Sequence, residues 1–125
     1  MDLKQRPKRG TFMCSKSNLN DLLSEVAQYA QEYFGSSLDA VILYGSYARG
    51  DADDESDVDI MLLIKRSAEE LAAQRKVWTK FGTALDLKYN VFTSFWLQDA
   101  DTFYSWKDVM PFFNNIIKEG VRIRV

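Results

Sequence analysis

Residues 39–64 have the sequence DAVILYGSYARGDADDESDVDIMLLI and contain the strongest structural signals in the chain. The stretch opens with an apolar, β-branched run that ends at Tyr44, a pattern typical of a buried strand. A glycine-serine turn and an acidic segment follow, and a second apolar run, Val58–Ile64, predicts a second strand. Two buried strands joined by an acidic loop therefore form the predicted centre of the fold.

Helical signals surround these strands. Apolar residues recur at helical spacing over residues 17–34, with Ser17 as the predicted N-cap and Gly35 as the stop. Ser67 opens a capping box and a second predicted helix, and Pro111 and Gly120 bound a third. Residues 89–96 and 121–125 are predicted strands. The alternation predicts an α/β (α+β) domain, a small mixed sheet flanked by helices, over residues 17–125, preceded by a basic solvated arm over residues 1–16.

Composition limits the chemistry. The chain has 125 residues, a net charge of −2, one cysteine and no histidine. A Ser-His-Asp triad and a histidine phosphocarrier are therefore excluded, as are an internal disulfide and a CxxC site at Cys14. No apolar run reaches the roughly 20 residues of a membrane span. We therefore expect a soluble, cytoplasmic protein with no membrane partner, and the net charge gives no argument for nucleic-acid binding. The chemistry is expected to use carboxylates, hydroxyls, cationic side chains or an oxygen-bound metal.

The acidic loop ends in two carboxylates at the start of the second strand. Asp57 and Asp59 are two residues apart, so a strand directs both side chains to one face. An acidic cluster of this kind is either solvated or neutralised by a cation, and magnesium prefers such oxygen ligands.

Gly45 and Ser46 follow a strand directly, where a tight turn lets backbone and hydroxyl groups bind phosphate, and Arg49 adds a cation. The whole pattern, GS-x10-DxD, predicts a site for a nucleotide and its metal.

These residues resemble the signature of the polymerase-beta-like nucleotidyltransferase superfamily. The motifs are Gly45-Ser-Tyr-Ala-Arg-Gly-Asp51 and Glu55-Ser-Asp-Val-Asp59, and the segment 108–120 is similar to the C-terminal segment of its minimal nucleotidyltransferase (MNT) branch. The resemblance implies the nucleotidyltransferase fold and magnesium-dependent transfer of a nucleoside monophosphate from ATP or another NTP to a hydroxyl. It assigns phosphate binding to Gly45, Ser46 and Arg49, and a two-metal site to Asp57 and Asp59.

The superfamily also has a third carboxylate on a later strand. The stretch 85–92 resembles that strand, and the corresponding position is Asn90, a degenerate third catalytic position. Asp86 is the nearest substitute. An extended strand would separate the two by about 13 Å, so only one could reach the metals, and a helix running through residue 86 would exclude Asp86.

The acceptor is expected to come from a partner protein or from a second copy of the chain. MNT proteins often neutralise a helical HEPN-domain toxin, so the resemblance implies an antitoxin role, with nucleotidylation of the partner. Asn90 favours an alternative, a weakly active or inactive nucleotide-binding module that neutralises its partner by binding. A transferase acting on small molecules or nucleic acids is a third hypothesis, although such enzymes usually carry an additional acceptor domain.

Overall fold

The computed structural model describes residues 14–124. Helices and strands alternate along this part of the chain, and a short 3₁₀ turn, Gly35–Ser37, connects the first helix to the first strand. In order, the elements are α1 (Lys16–Phe34), β1 (Leu38–Tyr44), α2 (Ser46–Arg49), β2 (Val58–Ile64), α3 (Ala68–Ala72), α4 (Arg75–Tyr89), β3 (Thr93–Asp99), α5 (Ala100–Trp106), α6 (Pro111–Glu119) and β4 (Val121–Ile123).

Within residues 14–124 the four strands form one mixed sheet in the order β3-β2-β1-β4. β1 pairs with β2 and with β4 in antiparallel orientation, whereas β2 and β3 run parallel. A parallel pair needs a crossover connection, which α3 and α4 provide between β2 and β3. The predicted α/β class with a small mixed sheet is confirmed.

Both faces of the central strands are covered by helices, which explains why β1 and β2 are apolar at consecutive positions. On one face, Val58, Ile60 and Leu62 pack in a cluster with buried side chains of α1 and α4, including Trp78. On the other face, Met61 and Leu63 pack with buried side chains of α5 and α6. The same alternation places Asp57 and Asp59 on the face covered by α5 and α6.

The ends of α1 and α3 show local capping. Ser15, not the predicted Ser17, is the N-cap of α1, and its hydroxyl accepts a hydrogen bond from the Asn18 N–H at 3.1 Å. The Ser67 cap is confirmed, because its hydroxyl accepts from the Glu70 N–H at 3.2 Å. The predicted arm lies mostly outside the described residues. Its last part belongs to the packed domain, since Cys14 is buried and donates its N–H to the Tyr47 hydroxyl at 3.1 Å.

The predicted strand over residues 89–96 is wrong in its first half. Helix α4 continues to Tyr89, and Asn90 closes it in the left-handed conformation with φ 55° and ψ 51°. The last turn of α4 is held by α1, because Lys88 and Tyr89 both bind the Glu25 carboxylate. β3 therefore begins only at Thr93. None of the helices in the described part of the chain is both long and apolar enough to cross a bilayer.

Candidate active site

A tight bend follows β1 at the position of the glycine-serine motif. Gly45 has φ 74° and ψ −155°, a conformation that favours glycine, and its carbonyl accepts the Ala48 and Arg49 N–H groups at 3.1 Å each. The one-turn helix α2 therefore begins at Ser46. A backbone N–H at the first helical position has no acceptor within its own helix, so it is oriented to donate to an external group. Gly50, with φ 83°, ends the turn.

The two carboxylates lie at the start of the neighbouring strand β2. Asp59 pairs with Tyr44 on β1 and with Ser94 on β3, so these three side chains occupy one row across the sheet. Asp57 precedes β2 by one residue and shares the face of Asp59. The row lies at the end of the sheet from which the bend Gly45–Ser46 emerges.

Asp59 contacts the bend itself. A β-carbon added at Gly45 would collide with Oδ2 of Asp59. A glycine is therefore required at this position for two reasons, the positive φ and the carboxylate against its Cα. The structure thus brings Asp59, one member of the DxD pair, against the glycine-serine turn.

Negative charge is concentrated at this point. Burial raises the pKa of the half-buried Asp59, the charge of Asp57 raises it further, and Arg49 opposes both effects. Burial and the nearby Asp59 also raise the pKa of Tyr44 to about 12. Asp59, whose ionisation is disfavoured in the folded protein, and the adjacent carboxylate of Asp57 provide hard oxygen ligands, which fit a divalent cation. Residues 14–124 contain no cluster of three or more His, Cys, Asp or Glu side chains suited to a metal, so the pair itself is the candidate metal site.

A cavity of about 360 Å³ opens over the bend and Asp59. This is within the range of roughly 300–1,000 Å³ seen for small-molecule sites. One wall is formed by the sheet end and α2, and the opposite wall by one face of α6. The lining residues are Tyr44, Gly45, Ser46, Arg49 and Asp59 on the first wall, and Phe112, Asn115, Ile116 and Glu119 on the second.

Arg49 lies at the rim of this cavity between two carboxylates. Its Nε is 3.2 Å from Oδ2 of Asp51, and one of its terminal nitrogens is 3.6 Å from Oε2 of Glu119. The hydrogen bond and charge of Asp51, with a smaller effect of Glu119, raise the pKa of Arg49 above its usual value. All three side chains are largely exposed, so these pairs are weak and can be exchanged for a ligand phosphate.

Asp53, Asp54 and Glu55, between the bend and β2, lie in a separate, exposed turn. Asp53 accepts hydrogen bonds from the Glu55 N–H at 2.9 Å and from the Ser56 hydroxyl at 3.2 Å. These bonds explain the density of acidic and polar residues in the loop as turn formation. Of the six acidic residues in the motif, only Asp59 lines the cavity.

Neither proposed third position lies on the strand beside β2. Asn90 is the C-cap of α4, and Asp86 lies inside that helix, where its carboxylate accepts the Thr93 N–H at 2.8 Å and the Thr93 hydroxyl at 2.9 Å. Asp86 thus ties the end of α4 to the start of β3. The interpretation of residues 85–92 as the strand that carries a third carboxylate is wrong, because this stretch is helical as far as Tyr89.

The register instead places Ser94 beside Asp59, a position that the sequence analysis missed. The Ser94 side chain is exposed and shares the face of Asp59. One local signal could have corrected the predicted start of this strand. An asparagine at the end of a helical apolar repeat is a frequent helix stop, which would have moved the predicted strand to begin after Asn90.

The fold and this site define the class of protein. A family model for the nucleotidyltransferase domain matches residues 23–121, which is most of the chain and includes both motifs and α6. The chain therefore belongs to the nucleotidyltransferase domain family. The superfamily that the motifs resemble is thus confirmed.

Three curated relatives come from Methanocaldococcus jannaschii, and each has the name "putative protein adenylyltransferase". The first is 36% identical over 74 residues, 59% of this chain and 73% of the relative. The second is 41% identical over 59 residues, 47% of this chain and 40% of the relative. The third is 26% identical over 103 residues, 82% of this chain and 95% of the relative. Family and relatives together support a nucleotidyltransferase, and transfer of a nucleoside monophosphate as its general chemistry.

Proposed function

We propose that this protein transfers a nucleoside monophosphate, AMP from ATP, to a hydroxyl of a partner protein, with magnesium bound by Asp57 and Asp59. The observation that supports this most directly is the contact between the Asp59 carboxylate and the bend at Gly45. Phosphate-binding and metal-binding groups must meet at one point in such a reaction, because the metal neutralises the same phosphates that the backbone orients.

Each group has a distinct role in binding the triphosphate. The Ser46 N–H and hydroxyl donate to phosphate oxygens, and Gly45 lets the chain approach them closely. Arg49 leaves Asp51 and Glu119 to neutralise further phosphate charge, a role for which its planar guanidinium is suited. When bound, magnesium supplies charge neutralisation at the phosphates and acidifies the attacking hydroxyl.

The opposite wall of the cavity is available to the nucleoside. The Phe112 ring packs edge-on against Tyr44, with ring centres 5.8 Å apart, and offers an aromatic surface for the base. Asn115 supplies a hydrogen-bonding amide on the same helix face. An amide can bind adenine through paired donor and acceptor bonds, which is consistent with ATP as the substrate.

The reaction is a substitution at the α-phosphorus. The acceptor oxygen forms a bond to that phosphorus while the bond to the oxygen bridging towards the β-phosphate breaks, and pyrophosphate leaves. The hydroxyl proton passes to solvent, since Asp57 and Asp59 are assigned to the metal and neither Asn90 nor Asp86 is retained as a base.

The partner is proposed to be a HEPN-type helical toxin, with this protein as its antitoxin in the cytoplasm. The support is the resemblance of the motifs to the MNT branch, together with relatives named as adenylyltransferases of proteins. The cavity over Asp59 is open to solvent along its rim at Arg49 and Glu119, so a protein surface can approach it.

One observation favours a second candidate, a nucleotide-binding module that neutralises its partner by binding. Among residues 14–124 no third side chain joins Asp57 and Asp59 in a cluster suited to a metal, and Ser94 occupies the neighbouring position on β3. A serine contributes no negative charge to a second metal ion, so turnover would be slow.

Transfer of label from ATP distinguishes the two candidates. The protein is incubated with magnesium, the product of the neighbouring gene and ATP labelled at either the α- or the γ-phosphate. We expect label on that partner from the α-phosphate only, and its loss in Asp57→Asn but not in the matched loop variant Asp54→Asn. Absence of label in the wild type contradicts transferase activity, and label that persists in Asp57→Asn contradicts the assignment of Asp57. If Asp57→Asn still neutralises the partner, the binding module is supported.

A further inference from the structure

A groove runs along the outer edge of the sheet, next to the candidate active site. β3 is the edge strand, and α4 lies beside it. Two cavities of about 330 and 320 Å³ adjoin along this edge and share Arg75, Phe95 and Leu97 as lining residues. We call the two together the β3 groove.

The floor of the β3 groove exposes backbone groups that have no partner strand. The Val58 N–H donates to the Phe92 carbonyl at 2.8 Å, which fixes the hydrogen-bonding pattern of the parallel pair. The backbone N–H and C=O groups of Ser94, Trp96 and Gln98 therefore point towards β2. The residues between them face outward. Thr93 shows this directly, because its N–H donates to Asp86. Among residues 14–124 no group hydrogen-bonds to the outward N–H and C=O of Phe95 and Leu97, which leaves a template for an added strand.

The groove also carries an uncompensated positive charge. Arg75 is exposed at the start of α4 and lines both cavities. Within the described part of the chain no carboxylate lies within ion-pair distance of it. A ligand that places a carboxylate at this point gains an ion pair without displacing one.

The position of the groove relates it to the reaction. Its lower end is lined by Thr93 and Ser94, and Ser94 is the neighbour of Asp59 in the sheet. Arg75 lies at the level of Phe95–Leu97, about three residues or ~10 Å further along the strand. A chain added to β3 would therefore place one residue beside the candidate active site and another, about three residues away, beside Arg75.

We propose that the β3 groove binds an extended segment of the acceptor protein as an additional strand, with an acidic side chain at Arg75 and a hydroxyl-bearing side chain beside Ser94 and Asp59. The proposal rests on the proposed function for the meaning of that hydroxyl. The proposal goes beyond that function because it assigns the surface that binds the acceptor segment and the negative charge that this segment carries. Added-strand binding of this kind takes affinity from backbone hydrogen bonds and selectivity from side-chain pockets.

The test uses two synthetic peptides of alternating valine and threonine with a central tyrosine. One carries a glutamate three residues on either side of the tyrosine, and the other carries lysine at both positions, so either strand direction is covered. Amide hydrogen exchange of the full chain is measured by NMR without nucleotide. With the glutamate peptide at millimolar concentration we expect exchange at Phe95 and Leu97 to slow by about tenfold or more, with little change at Trp96, which β2 already protects.

Charge reversal makes the result specific. Arg75→Glu should shift the preference from the glutamate peptide to the lysine peptide, while the matched neighbour Lys76→Glu should not. Both sites are exposed on the first turn of α4, where an acidic residue is compatible with the helix dipole, so the variants should fold. Unchanged exchange at Phe95 and Leu97 with both peptides, or protection of these amides by self-association without peptide, overturns the proposal. Binding of a magnesium-ATP analogue to the wild type and to the same variants is recorded separately. Failure of the wild type to bind the analogue contradicts the proposed function and not the groove.

Discussion

Gly45 lacks a side chain at the point where the Asp59 carboxylate packs against the backbone. Gly45 follows β1 and Asp59 lies in β2, so this contact joins the turn after β1 to the start of β2. The glycine and the acid of the motif are thus required for one packing arrangement, in addition to any separate part in binding a ligand.

Gly45→Ala should abolish the candidate site while Gly50→Ala should leave it intact. Both glycines have positive φ, so each alanine costs about 1–2 kcal/mol of stability. Only at Gly45 does the new methyl group displace Asp59, since no atom lies within 4 Å of a β-carbon at Gly50. Urea unfolding and titration with a magnesium-ATP analogue measure the two effects. Equal nucleotide affinity in both variants would mean that the contact is irrelevant to binding.

Asp59→Asn should stabilise the protein near neutral pH when no divalent cation is present. The folded state raises the pKa of Asp59, so ionisation costs stability as the pH rises through and above its ordinary value of 3.8. The amide has no such cost, and its advantage should therefore disappear in acid, below that value. Urea unfolding at both pH values, in chelator, measures this difference. A variant that is less stable than the wild type at neutral pH would contradict the unfavourable ionisation of Asp59 that burial and the charge of Asp57 produce.

Ser94→Asp should strengthen divalent-cation binding, and Asn90→Asp should not. The first change adds a carboxylate beside Asp59 on the same face of the sheet, whereas the second adds one at the C-cap of α4. A further carboxylate ligand to a hard cation is expected to increase affinity about tenfold. Titration with manganese as a magnesium substitute provides the measurement. A gain in Asn90→Asp alone would restore the position that the sequence analysis favoured.

Glu119→Gln should increase nucleotide affinity modestly. The substitution removes one of the two carboxylates that pair with Arg49, so less interaction energy is lost when Arg49 turns to phosphate. Because the pair is exposed, the gain is limited to less than about 1 kcal/mol, or a few-fold. Glu69→Gln, an exposed acid on α3, is the matched control. Weaker binding in Glu119→Gln would indicate that this carboxylate itself contacts the nucleotide.

Most of the fold was predictable because its signals are local. The predicted bounds of β2 match the structure, since the run Val58–Ile64 is apolar except at Asp59 and is bounded by Asp57 and Lys65. The end of α4 was not predictable in the same way. Residues 85–92 alternate apolar and polar side chains as a strand does, and the helix is extended by contacts of Lys88 and Tyr89 with Glu25 on α1. Those contacts depend on tertiary packing, which a local pattern does not contain.

For the candidate site, too, the local features could be predicted from the sequence and the long-range features could not. The pair Asp57 and Asp59 and the Gly45–Ser46 turn lie within one short stretch, so their spacing was visible in the sequence. The position of Ser94 depends on the register between β2 and β3, and the wall formed by Phe112 and its neighbours depends on how α6 packs over the sheet. Both relationships are long-range, so they required the three-dimensional structure.

Calorimetric titration with a non-hydrolysable ATP analogue, with and without magnesium, tests most directly whether Asp57 and Asp59 hold a metal against a triphosphate bound at the bend. The wild type should bind only weakly in chelator. The double variant Asp57→Asn/Asp59→Asn should lose the magnesium-dependent affinity by about 100-fold, or ~2.7 kcal/mol. The control Asp53→Asn/Asp54→Asn, with the same change of charge in the exposed turn, should bind like the wild type. Equal, magnesium-independent binding in all three proteins would contradict the assignment of Asp57 and Asp59.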